Sequence, residues 1–218
     1  IGAARRWIKS QFDNISKDCN DCLEVFFQKD LVAKGTNQRI VKDVMVVNVV
    51  AIQRGTKYPN RYIIMSGDID SRVSDPTDFT SDSPGANDNA TGMAGAIEVA
   101  RVLSKYKFES SIVYLGLSGE EQGLFGGQGM ARYAQDNNWN IIGVLNNDMI
   151  GNIEGVDGVI DNRTFRISSL NLLQPPKRIL KDWQDKHEED DFMVVKSMAF
   201  LANWHVMCIR QQKLTCQK

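Results

Sequence analysis

The sequence predicts an α/β fold, a three-layer sandwich around a largely parallel mixed central sheet, and three observations carry that expectation. Short apolar, β-branched runs alternate with segments of helical period, the pattern that builds strand–helix–strand units. Of 218 residues, 42% are hydrophobic, enough apolar surface for a buried sheet in one core. Three of the runs end in acidic loops: RYIIMS in GDID, SSIVYLGLS in GEE, and IIGVL in NND. In a parallel sheet such carboxyl ends gather at one edge, where ligands bind.

The elements follow in order. Residues 5–15 carry apolar side chains at near-helical spacing and predict a helix. The polar turn KDCNDC precedes a strand at residues 23–28 and holds Cys19 and Cys22 as C-x-x-C. A redox motif of that form opens a helix after a strand, so a turn disulfide or two idle thiols is expected instead. Cys208 and Cys216 make no metal-ligand pattern with them. Residues 43–53 contain the run VMVVNVVAI, a buried strand, and residues 61–66 form another. A polar loop spans 71–87, and a long helix pattern runs from Asn89 to about Tyr106. Then come a strand at 110–117, a helix over about 124–137, and a short strand at 141–145. Gly123, Gly126, Gly127 and Gly129 match no phosphate-binding pattern and are assigned to backbone packing.

Lys and Arg total 26 against 27 Asp and Glu, a net charge of -1. That balance gives no drive toward nucleic acid or an anionic membrane, and no apolar run is long enough to span a bilayer. A soluble chain is expected. The predicted loops would crowd Asp68, Asp70, Asp88, Glu120, Glu121 and Asp148 together, which is costly unless a cation neutralises them. Each carboxylate alone is more often a helix cap or a solvated charge than a ligand; their shared place after three strands points to a metal.

Four segments carry a resemblance: S-G-D-I-D-S-R (66–72), P-G-A-N-D-N-A-T-G (84–92), S-G-E-E-Q-G-L-F-G (118–126) and N-N-D-M-I-G (146–151). In order and spacing they resemble metallopeptidase family 28, the di-zinc aminopeptidase-type exopeptidases typified by secreted bacterial leucyl aminopeptidases. The similarity runs over about Arg5 to Arg166. The resemblance implies a zinc-exopeptidase fold, two zinc ions, a peptide substrate and a secreted or periplasmic setting. It further implies that Asp88 bridges the metals, Glu121 ligates one and Asp148 the other, and Glu120 is the general base. Asp70 would orient the ligand two residues before it.

Two departures from the family pattern shape the expected function. Asp68 stands in G-D-I-D where the family has the histidine of G-H-x-D. The family's final histidine has no match, because the chain's two histidines, His187 and His205, lie in other contexts and read as solvated or core residues. Loss of one imidazole from each zinc leaves a carboxylate site that favours Mg²⁺, Mn²⁺ or Ca²⁺ relative to zinc. The expected function is a zinc-dependent aminopeptidase-type hydrolase of peptides, impaired in this chain. The alternatives are a non-catalytic peptidase-like binding protein or degenerate pseudoenzyme, and another exopeptidase-like chemistry such as carboxypeptidase action or glutaminyl cyclisation. Residues 1–167 are assigned to a partial peptidase-like domain. Residues 168–218 form a divergent tail without clear periodicity, expected from a reading-frame shift in the coding DNA, so the fold should be incomplete at its C-terminal end.

Overall fold

Branched side chains on both faces of VMVVNVVAI suit a strand covered by helices on either side, and the computed structural model, which describes residues 2–161 apart from 79 and 156, places it so. The elements are helix α1 (Ala3–Asp18), strands β1 (Leu23–Val32), β2 (Val44–Gln53) and β3 (Tyr58–Asp68), a π-helical turn Ala86–Thr91, helix α2 (Gly92–Leu103), strand β4 (Ser110–Leu117), helix α3 (Phe125–Asp136) and strand β5 (Asn140–Asn146). One five-stranded sheet has the order β1-β2-β4-β3-β5. Alternation along β2 divides the core: Val49 and Ala51 pack with Phe12 of α1 and with Met93 and Ala96 of α2. Val50 and Ile52 pack with Val113, Leu115 and Met130 of α3 on the other face. The three layers follow from that two-sided burial.

The sheet is mixed rather than largely parallel. β3 is parallel to β4 and β5, whereas β2 runs antiparallel to both β1 and β4. The physical reason is connectivity. Helices α2 and α3 lie between β3, β4 and β5 and supply the crossovers that parallel strands need, but residues 33–43 between β1 and β2 hold no helix and return the chain antiparallel. A second correction concerns the start of α2. Asn89 has φ −132° and ψ 38°, outside helical values, so the regular helix begins at Gly92.

Cys19 and Cys22 form a disulfide in the turn between α1 and β1. Among the described residues no helix is long and apolar enough to cross a membrane. The assigned tail at 168–218, with His187, His205, Cys208 and Cys216, lies outside the described residues.

Candidate metal centre

Strand register sets the level of the acidic loops. Asp68 pairs with Leu117 and Ser66 with Asn146, so β3, β4 and β5 end together. The amides of Ile69 and Asn147 continue the ladder onto Leu117 O (2.7 Å) and Ser66 O (2.9 Å). Asp88 enters from the turn ahead of α2, which comes so near the β5 loop that a Cβ on Gly92 would stand 2.1 Å from the Asn147 carbonyl oxygen. Only glycine allows that approach.

The loop bearing Glu120 and Glu121 is gripped from several directions. Asp70 Oδ1 accepts the amides of Gly119 (2.7 Å) and Glu120 (3.2 Å), and Oδ2 accepts that of Glu121 (3.2 Å). Arg39 donates to the Glu121 carbonyl at 2.5 Å, and Asn37 donates to that of Gln122 at 2.8 Å. Beneath the loop, fully buried Asn48 accepts the Ser118 amide at 3.0 Å and donates to Gly126 O at 2.8 Å. A Cβ on Gly126 would meet Ser118 O at 2.2 Å, which makes close packing its reason, as the sequence suggests. Gly127 has open space around it, so packing does not explain that residue.

Asn89 joins the other two loops. Its Nδ2 donates to Asp68 Oδ2 and to the Asn147 carbonyl, both at 2.9 Å. Its Oδ1 accepts the amides of Gly92 (3.1 Å) and Met149 (3.2 Å). This side chain is thereby fully satisfied while buried, and it fixes the end of β3, the start of α2 and the Asp148 loop to one another.

Charge crowding is visible in the titration behaviour. Burial pushes the Asp68 carboxyl up to about 7 against the opposing hydrogen bond from Asn89, with the charges of Glu120, Asp70 and Asp148 adding to the rise. Glu120 is likewise raised to about 7 by burial and by Glu121, Asp70, Asp148 and Asp88. Asp148 is raised by partial burial and then by Asp88 and Glu121. Asp70 is raised by burial, with its backbone amide donors pulling the other way. The six carboxylates thus share one electrostatic neighbourhood.

That neighbourhood suits a cation in charge but not a zinc pair in ligand type or arrangement. Among the described residues no group of three or more His, Cys, Asp or Glu side chains converges closely enough to hold a metal ion. No imidazole is present there, and zinc sites of this kind combine nitrogen with oxygen donors. Glu121 Oε2 is engaged by Arg72 Nε at 2.6 Å, and one Asp68 oxygen by Asn89. Asp88 and Asp148 are exposed. Sequence reading assigned no role to Asn48, Asn89, Arg39 or Arg72; the available signals were a polar Asn48 inside an otherwise apolar strand and the places of Arg72 and Asn89 in the segments 66–72 and 84–92.

A family model described as peptidase family M28 matches residues 48–173, more than half of the chain. The chain belongs to peptidase family M28. A protein named "Probable zinc metalloprotease" from Pyrenophora tritici-repentis is 36% identical over 167 residues, covering 77% of this chain and 38% of the relative. Another so named, from Leptosphaeria maculans, is 40% identical over 166 residues, covering 76% of this chain and 38% of its own length. The chain therefore spans well under half of these curated relatives. Among solved structures, LapB from Legionella pneumophila matches with a TM-score of 0.53 at 24% identity, over 70% of this chain and 38% of that one. A glutaminyl cyclase from Bacteroides thetaiotaomicron matches with a TM-score of 0.52 at 18% identity, over 69% of this chain and 56% of that one. These two share the fold.

Proposed function

We propose that the chain is, by descent, part of a zinc-dependent aminopeptidase-type hydrolase of peptides whose own metal centre is impaired. The observation that carries this reading is Asp68: it stands at the strand end where the family resemblance implies an imidazole, buried among like charges and bonded to Asn89. In this reading Asp68, Asp88, Glu121 and Asp148 face the cation, and Glu120 is the general base. A carboxyl raised to about 7 suits proton transfer near neutral pH. Asp70 acts on the loop through its three amides, holding Glu120 and Glu121 in place. We assign residues 1–167 to the peptidase-like unit, most of which lies within the family match over 48–173. The reading-frame shift proposed for 168–218 is tested by sequencing the gene. The Cys19–Cys22 disulfide favours a secreted or periplasmic setting.

Cleavage of aminoacyl-nitroanilides with added Zn²⁺ or Mn²⁺ tests the reading. We expect weak hydrolysis that requires the metal and disappears in Glu120→Gln. Metal-independent cleavage, or cleavage indifferent to Glu120→Gln, contradicts it. The aspartate at position 68 also favours a second reading, a non-catalytic peptidase-like binding protein; binding of an aminoacyl analogue without any turnover would select it.

A further inference from the structure

We propose that Asn14, on the solvent face of α1, carries an N-linked oligosaccharide that is added before the helix packs. This rests on the reading of the chain as secreted and, within it, on a eukaryotic secretory pathway, which the disulfide and the fungal relatives favour. The acceptor pattern N-x-S/T occurs at Asn14-Ile15-Ser16, at Asn89-Ala90-Thr91 and at Asn162-Arg163-Thr164, the last outside the described residues. The fold separates the first two. Asn14 is exposed, as are Ser10, Lys17 and Asp18 one turn away on either side, while Ile8, Phe12, Ile15 and Ser16 form the buried face of the helix. A glycan on Asn14 therefore extends into solvent and displaces nothing from the core. Asn89 is 2% exposed, and both hydrogens of its Nδ2 are committed, one to Asp68 Oδ2 and one to the Asn147 carbonyl. No N–H is left there to react, and a sugar would break the link between three loops. Folding also sets the timing at Asn14. The acceptor pattern needs the hydroxyl two residues on, and in a helix that residue lies about 200° around the axis. Ser16 Oγ is accordingly buried, donating to the Leu23 carbonyl at 2.9 Å and accepting the Leu23 amide at 3.1 Å. It is available only before Leu23 docks. In the transfer, Asn14 Nδ2 bonds to C1 of the first sugar of a lipid-linked oligosaccharide, and the C1–O bond to the lipid diphosphate breaks. The lipid diphosphate leaves with that electron pair, and the amide proton passes to a base of the transferase.

Peptide mapping by mass spectrometry, before and after an amidase that releases N-linked glycans and leaves aspartate in place of the modified asparagine, tests the assignment on the full chain directed into the secretory pathway of a fungal host. Both the secreted and the cell-retained pools are read, so a variant that folds poorly still reports. We expect aspartate at position 14 in wild type and in Thr91→Ala, which removes the second acceptor pattern and spares Asn89. Asn14→Gln should carry one glycan fewer, and position 89 should stay asparagine in the secreted pool of wild type. An unmodified Asn14 in secreted wild type, an unchanged glycan number in Asn14→Gln, or a glycan on Asn89 in the secreted pool overturns the assignment. The timing has its own readout: a purified transferase with a lipid-linked oligosaccharide should modify Asn14 in the reduced, unfolded chain and not in the folded, unglycosylated chain, and equal modification of the two contradicts it. The parent reading of a secreted setting fails separately, if the native protein, in the cells that make it, carries Cys19 and Cys22 as free thiols.

Discussion

Ile64 and Asp68 lie four residues apart on β3 and are nearly equally buried, at 2% and 7% exposure, yet burial acts on them in opposite directions. In the middle of the sheet the apolar side chain gains from leaving water, packed with Val113 and Leu115. At the carboxyl edge the same burial penalises an ionised carboxylate and raises Asp68 to about 7. The centre of the sheet holds the fold together, and its edge works against it unless a proton or a cation answers the charge.

The largest effect should come from the centre. Leu115→Ala removes a fully buried side chain and should cost about 4 kcal/mol in chemical denaturation; a loss near zero would mean that the two-sided core is poorly packed. Next is Asp68→Asn in metal-free protein, which should have the opposite sign. Because the folded-state value is raised, the Asp68 contribution is fully favourable only below its ordinary value of 3.8 and is lost as pH rises through about 7. The substitution should therefore stabilise by on the order of 3 kcal/mol at pH 8 and by little at pH 4. Denaturation curves at the two pH values check it, and a pH-independent difference would rule out the buried charge as the cause.

Asn48→Ala lies between the two regions. It strips partners from the Ser118 amide and the Gly126 carbonyl under the Glu120 loop and should cost about 2 kcal/mol, with faster amide exchange at Ser118. The smallest effect is at the opposite, solvent-exposed end: Glu109→Gln breaks a 3.5 Å contact with Lys57 and should change stability by less than about 0.5 kcal/mol. A larger loss there would show that charge matters to this fold well beyond its acidic edge.

Strands buried on both faces were the most legible elements. β4 spans the residues that its apolar run marks, and β2 covers all but the first residue of the expected 43–53, because continuous burial leaves a continuous apolar signature. Strand direction was less legible, since pairing is not local; the helix-free stretch 33–43 carried the clue that β1 and β2 run antiparallel. At the edge, the strand-end carboxylates were readable from their positions. Arg39 was not, because in sequence it resembles any solvated polar residue, and the 84–92 segment marks Asn89 without showing which groups it joins. Their roles depend on partners far along the chain, 82 residues away for Arg39 and Glu121 and 60 for Asn89 and Met149.

The central claim is that Asp68 occupies a ligand position at which a carboxylate has replaced an imidazole. Calorimetric titration of Zn²⁺ into wild type and Asp68→His tests it most directly. We expect the histidine variant to bind zinc at least about tenfold more tightly, since a neutral imidazole supplies the borderline donor that zinc prefers and removes one buried like charge. Equal affinity in the two proteins, with both folded, would contradict the claim.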